Sequence, residues 1–181
     1  MAMAVLAVGV IGIIASEKVT VSSNLHAKNL AIASHIGQAW LGVLDAESSL
    51  WTSDLARAAN TTWIQEGASQ SSWFRPGYSD QLTFGPAFDA LGNAVRNEDQ
   101  DPDAKFCVDL RFSQMNPTTG GTGMYRVEVR VIWLREQVVA SSVAAPTHAC
   151  GISAPLVAGA VQQPMFYFLF LSGAVRQVVV P

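Results

Sequence analysis

Three histidines and two cysteines are the residues best suited to metal or nucleophilic chemistry in this 181-residue chain. His26 and His35 are nine positions apart, which puts them on opposite sides of a helix at 100° per residue, so they cannot share a ligand. His-Glu-x-x-His, Cys-x-x-Cys, the P-loop and Gly-x-Ser-x-Gly are absent from the sequence. Gly120-Gly121-Thr122-Gly123 lacks the lysine of a phosphate loop and precedes a strand pattern, so it reads as a hairpin loop. Asp99, Asp101 and Asp103 match the first three ligand positions of an EF-hand. Ala104 then stands where glycine is needed, Pro102 intrudes, and Leu110 replaces the bidentate acid. The expectation is a solvated acidic turn, with an ion site of another geometry as its alternative. Asn60-Thr61-Thr62 is a formal glycosylation sequon that reads as a polar helix end. No catalytic residue, metal or cofactor is expected.

The elements that would carry these residues follow from patterning. Half of the chain is hydrophobic and 14% is charged, against about 25% charged in an average soluble domain. The net charge of −3 leaves no basic footprint for nucleic acid. Met1 to Ala15 has no charged or polar side chain. Fifteen helical residues span about 22 Å, short of the ~30 Å hydrocarbon core. A membrane helix whose first turns precede this chain is the favoured reading, over a signal peptide or a buried core helix. Beyond it, Val21, Leu25, Ile32, Ile36, Ala39, Trp40, Val43, Leu50 and Trp51 fall on one side of a helix. One helix is predicted from about residue 2 to 59, near 85 Å long. A break near Ser22-Ser23-Asn24 is the alternative.

Residues 60–105 form a long connection with aromatic anchors. Pro86 is placed to open a short helix carrying Phe88, Leu91 and Val95 on one face. Phe106 to Phe112 and Tyr125 to Trp133 alternate with period two, the mark of half-buried antiparallel strands, with charged pairs such as Arg126, Glu128 and Arg130 on an open face. Met165 to Leu171 reads as a central strand, and Ser172-Gly173 as a turn or bulge before Ala174. The fold class is α+β: one long N-terminal helix packed on an antiparallel sheet. The predicted core includes Ile36, Val43, Leu50, Val127, Val129 and Val131, so Leu50→Ala is expected to destabilise.

The segment Met1-Ala2-Met3-Ala4-Val5-Leu6-Ala7-Val8-Gly9-Val10-Ile11-Gly12 resembles the N-terminal helix of type IV pilin-like proteins, most closely the PilV-type minor pilins. The two glycines three residues apart, the helix–loop–sheet order, the tryptophan-ended strand Tyr125–Trp133 and the late cysteine carry the resemblance. The family's basic leader, its glycine before the cut and its early glutamate have no counterpart here. The alignment therefore implies a start about seven residues inside the mature protein, which would restore a spanning length of about 22 residues.

The resemblance implies a minor pilin that primes pilus assembly and sits at or near the tip. It implies a single-pass inner-membrane stage, with residues 1–22 as the transmembrane and assembly half, and then a place in the surface fibre. Residues 23–181 become the periplasmic domain: amphipathic helix 23–59, loop 60–105 and sheet region 106–181. Other major and minor pilins would be partners through Val5, Leu6, Val8, Gly9, Val10, Ile11 and Gly12, with a large tip adhesin as a further partner. Small residues at Ala2, Ala4, Ala7, Gly9 and Gly12 suit close helix packing. Export to an oxidising compartment would pair Cys107 with Cys150. Trp63, Trp73, Phe74, Arg75, Tyr78 and Phe84 are the candidate partner contacts, since aromatics and arginine are enriched in hot spots; a small local core built by the same residues is the alternative. A minor pseudopilin of a type II secretion system and a membrane-anchored binding domain are the competing functions.

Overall fold

The computed structural model describes residues 2–51, 61–70, 72–96, 103–115, 123–135, 149–151 and 166–177. The chain is α+β, with one long N-terminal helix and a five-stranded antiparallel sheet. It divides into two compact units, Met1–Ile32 and Ala33–Pro181.

Helix α1 runs Ala2–Ser48 without interruption, as expected for an alanine-rich stretch with no proline. Its backbone passes through Ser22-Ser23-Asn24 unbroken, so the two-helix alternative does not hold. It stops well before residue 59. The amides of Ser49, Leu50 and Trp51 close on the carbonyls of Ala46, Glu47 and Ser48, a tightened last turn. Trp51 then leaves the helix and buries against Tyr125 at 5.9 Å. A side chain at Gly123 would come within 2.5 Å of the Trp51 ring, so this corner needs glycine.

No helix among the described residues is long and apolar enough to cross a membrane. Of the apolar run, the side chains of Val10, Ile13 and Ile14 are described, and all three are exposed. Val21 and Leu25, expected on the core stripe, are also exposed. Burial begins at Ala33 and continues through Ile36, Trp40, Leu44 and Glu47. At 100° per residue this face is rotated by roughly 60° from the predicted one. Val43 is therefore only half-buried, whereas Leu44 is fully buried; Leu50, in the turn beyond the helix end, is 54% exposed. Leu44→Ala should cost about 2–4 kcal/mol in urea denaturation, and Leu50→Ala less than about 0.5. The reverse order would place the contact face elsewhere.

Strands β1 (Ala87–Phe88), β2 (Ala94–Val95), β3 (Phe106–Gln114), β4 (Met124–Leu134) and β5 (Phe166–Arg176) form one sheet in the order β2-β1-β3-β4-β5. The segment after Pro86 is thus a hairpin and not the expected helix. The Asp89 carboxylate accepts the Leu91 and Asn93 amides, and Gly92 adopts φ 88°, which ends any helical path. Strand β5 stands at an edge of the described sheet and not at its centre. It pairs with β4 without a bulge from Phe166↔Leu134 to Arg176↔Met124, so Ser172-Gly173 does not turn. Gly173 has a packing reason instead: a Cβ there would meet Leu41 at 2.9 Å, while a Cβ at Gly37 would meet Leu171 at 2.4 Å. Helix and strand thus exchange a leucine for a glycine twice, which seats α1 closely on the sheet. The core-facing side of the sheet is Phe106, Val108, Leu110 and Phe112 with Val127, Val129, Val131 and Trp133, all buried.

Candidate functional site

The chemistry-bearing side chains gather on the other face of β3 and β4. Asp109 stands directly opposite Arg130 in the ladder, and both are buried, with 0% and 1% exposure. Arg130 Nη2 donates to Asp109 Oδ2 at 2.7 Å, and Arg75 Nε donates to Oδ1 at 3.3 Å. Arg75 Nη1 also donates to the carbonyl of Cys150. Burial lowers the Arg130 pKa from its ordinary value, Asp109 opposes that shift, and the nearby Arg75 and Arg111 charges add to it. The pairs predicted for an open face are therefore partly enclosed.

The enclosure comes from residues 73–75. Phe74 exchanges both backbone hydrogen bonds with Leu110, adding a bridge to the free side of β3. Alternation along this bridge sends Phe74 into the core beside Phe112, at 6.1 Å, while Trp73 and Arg75 turn to the charged face. The Trp73 ring lies 4.4 Å from the Arg130 guanidinium and 4.9 Å from that of Arg111, favourable cation–π placements. Phe170 meets the Trp73 ring edge-on at 6.0 Å. Arg111 and Arg126 both pair with Glu128 nearby.

Cys107 and Cys150 are joined by a disulfide, with Cα atoms 5.2 Å apart and both residues buried. The bond anchors the Ala149–Gly151 turn to β3, two residues from Asp109. Thiol labelling of the unfolded, unreduced protein should detect no reactive thiol; two labelled cysteines would contradict the pairing.

A second carboxylate is engaged at the end of α1. Glu47 is 8% exposed, and its oxygens accept the amides of Thr62, Trp63 and Ile64. These are the first donors of the short helix α2 (Trp63–Ala68), whose own N-cap residue Thr62 makes no side-chain cap. Glu47 thus caps a helix from 16 residues away. The aromatic cluster beside it contains Trp40, Trp63, Phe84 and Phe88, with ring centroids 4.8–5.5 Å apart along the chain Trp63–Trp40–Phe84–Phe88.

This placement corrects part of the expected partner surface. Trp63 is fully buried and Phe74 is 7% exposed, so both are core. Trp73, Arg75, Tyr78 and Phe84 are half-buried. The triple replacement of Trp73, Phe74 and Arg75 should therefore unfold the domain, whereas a pure contact surface would have left its melting temperature unchanged. Of the assembly segment, Val5, Leu6, Val8, Gly9, Val10, Ile11 and Gly12 all lie in α1, and Val10 is 47% exposed; the other six side chains lie outside the described residues. Asp99 and Asp101 also lie outside the described residues. Among the described residues no cluster of three histidine, cysteine or acidic side chains could hold a metal. The buried carboxylates Asp109 and Glu47 are both committed to protein donors.

Glu66 of α2 titrates high because of burial, against which a backbone hydrogen bond from Gly77 acts. A carboxyl with a raised folded-state pKa favours folding below its unfolded pKa and loses that contribution as pH rises through the folded value. Glu66→Gln should therefore stabilise at neutral pH, by less than about 1 kcal/mol given its partial exposure, and the gain should vanish at low pH. A gain that grows on acidification would contradict this sign.

No family model, no characterised protein and no solved structure matches this chain.

Proposed function

We propose that this chain is a structural subunit of a type IV pilus: a pilin-like minor pilin that primes assembly at or near the tip, held in the inner membrane before it enters the fibre. The observation that carries the reading is the helical unit Met1–Ile32. Its large apolar residues Val10, Ile13, Ile14, Val19, Val21, Leu25 and Leu30 are 41–70% exposed, and Ile32 at its end is half-buried. Their bearings run around the helix, with Val19 and Leu30 on the side away from Ile14 and Val21. A helix apolar on several sides gains by being surrounded by lipid or by other helices. Lipid contacts before assembly can be replaced by helix–helix contacts afterwards, with Gly9 and Gly12 allowing close approach. The helix-then-sheet order and the disulfide support the same reading. No nucleic acid or cofactor enters it, and the role is structural, without catalysis.

Membrane fractionation of cells producing the protein tests it. Gly9→Arg or Val10→Arg should cost about 2.5–3.5 kcal/mol of insertion near a helix centre and reduce membrane retention. Unchanged retention in a variant carrying several charges in this segment would contradict the reading. A chain beginning near Asn24 should remain folded and monomeric.

A further inference from the structure

Positive charge gathers on the sheet face that carries Asp109. Among the described residues there, Arg75, Arg111, Arg126, Arg130 and Arg176 stand with two carboxylates, Asp109 and Glu128, in a chain whose net charge is −3. Asp109 is committed to the buried Arg130 and to Arg75. Glu128 is shared by Arg111 and Arg126, whose side chains are 40% and 55% exposed. This excess of guanidinium over carboxylate attracts an anion.

An aromatic edge adjoins the charge. The register sets Phe170 beside Arg130, Ser172 beside Glu128, Ala174 beside Arg126 and Arg176 beside Met124. Alternation puts these four β5 residues on one face, and all four are exposed. Phe170 is 54% exposed, although Trp73 meets it at 6.0 Å and Phe168 stacks on it at 6.2 Å. The row from Phe170 to Arg176 is about 20 Å long at ~3.3 Å per residue. That is the reach of an extended chain and not of one small molecule.

A ligand for this row must meet three demands at once. It needs anionic groups for Arg126 and Arg176, whose planar forks match carboxylates. It needs hydrogen-bond donors, because Glu128 keeps lone pairs beyond those the two arginines use, with the Ser172 hydroxyl beside it. It needs a C–H surface for the Phe170 ring, whose face carries partial negative charge. Phosphates and acidic side chains only accept hydrogen bonds. A uronate sugar carries a carboxylate, hydroxyl donors and a C–H face on each ring.

We propose that the outer face of β4 and β5 binds an acidic polysaccharide built of uronate sugars. One ring packs on Phe170, and carboxylates further along the chain meet Arg126 and Arg176. The proposal stands on the sheet alone and is independent of the helix-based reading: a domain that stays anchored in the membrane would bind the same ligand.

Calorimetric titration of the full chain tests it, in a polyoxyethylene detergent that carries no sugar headgroup. The probes are a short oligogalacturonate and a short alginate oligomer. At least one should bind, and about 0.5 M NaCl should weaken it strongly. The same oligomer with its carboxyls methyl-esterified should bind ~10-fold or more weakly. Arg126→Gln/Arg176→Gln and Phe170→Ala should each weaken binding by a similar factor with an unchanged melting temperature, and Phe170→Trp should retain it. Binding of neither oligomer, or equal binding of the ester, would overturn the proposal. Equal binding of polyglutamate or of a single-stranded oligonucleotide would also overturn it, since charge alone would then suffice. Unaltered binding by Phe170→Ala would remove the sugar-stacking role and overturn it too.

Discussion

Asp109→Ala should lower the unfolding free energy by about 3–5 kcal/mol. The carboxylate has 0% exposure and lies between two guanidiniums, Arg130 at 1% and Arg75 at 12% exposure. Removing it leaves the buried Arg130, which lies under the Trp73 ring, facing the mostly buried Arg75 with no carboxylate between them. The loss is larger than the worth of either hydrogen bond, because what remains is uncompensated charge in a poorly polarisable place. Asp109→Asn keeps the shape and one acceptor but not the charge, so it should fall between wild type and alanine. Replacing both partners, Asp109→Leu with Arg130→Met, removes the opposed charges together and should recover much of the loss. Urea denaturation of the four proteins measures the coupling. An alanine variant within about 1 kcal/mol of wild type would show that solvent reaches this network.

Glu47→Ala should cost about 2–6 kcal/mol. Three amides, those of Thr62, Trp63 and Ile64, lose their acceptor at once; Thr62 is exposed and can turn to water, while the other two are buried, and each buried unsatisfied donor costs about 1–3 kcal/mol. Trp63 and Ile64 are fully buried, so water cannot substitute for the carboxylate. The effect should be local in origin: α2 loses its cap, and the Trp40–Trp63 contact at 5.1 Å loosens with it. Glu47→Gln retains an acceptor oxygen and should recover part of the stability. The readout is tryptophan fluorescence alongside the melting temperature, since Trp40 and Trp63 report the cluster directly. A normal melting temperature with unchanged fluorescence would show that the cap is dispensable.

Neither carboxylate was legible as a structural centre from sequence, and the reasons differ. Glu47 sits on the apolar side of α1 at the position of a core residue, the one local signal that could have marked it. Its partners are backbone amides beyond residue 60, which carry no side-chain signature. Asp109 and Arg130 do show as opposed charges once Phe106 is set against Trp133, so the pair was readable and its burial was not. The cover comes from Trp73 and Arg75, 36 and 34 positions before Asp109, and from the Cys150 turn. Such non-local cover leaves no periodicity. The strands β3 and β4 were readable because their period of two is local and strong. The helix face is offset from the apolar stripe because that stripe begins at Val21, whereas packing starts at Ala33. The hairpin at Asp89–Asn93 was hidden by the spacing of Phe88, Leu91 and Val95, which imitates a helix face.

The proposed role turns on whether this chain leaves the membrane as part of a fibre. The direct measurement is the amount of the protein in surface fibres sheared from its source cells, with a photo-reactive residue replacing Ile13. The expected result is recovery in the sheared fraction, cross-linked through Ile13 to the apolar helix of another pilin-type subunit, and loss from that fraction when Gly9 and Val10 are both replaced by arginine. A chain that stays wholly in the membrane fraction, un-cross-linked, while fibres form normally without it would contradict the account and identify an anchored domain that never assembles.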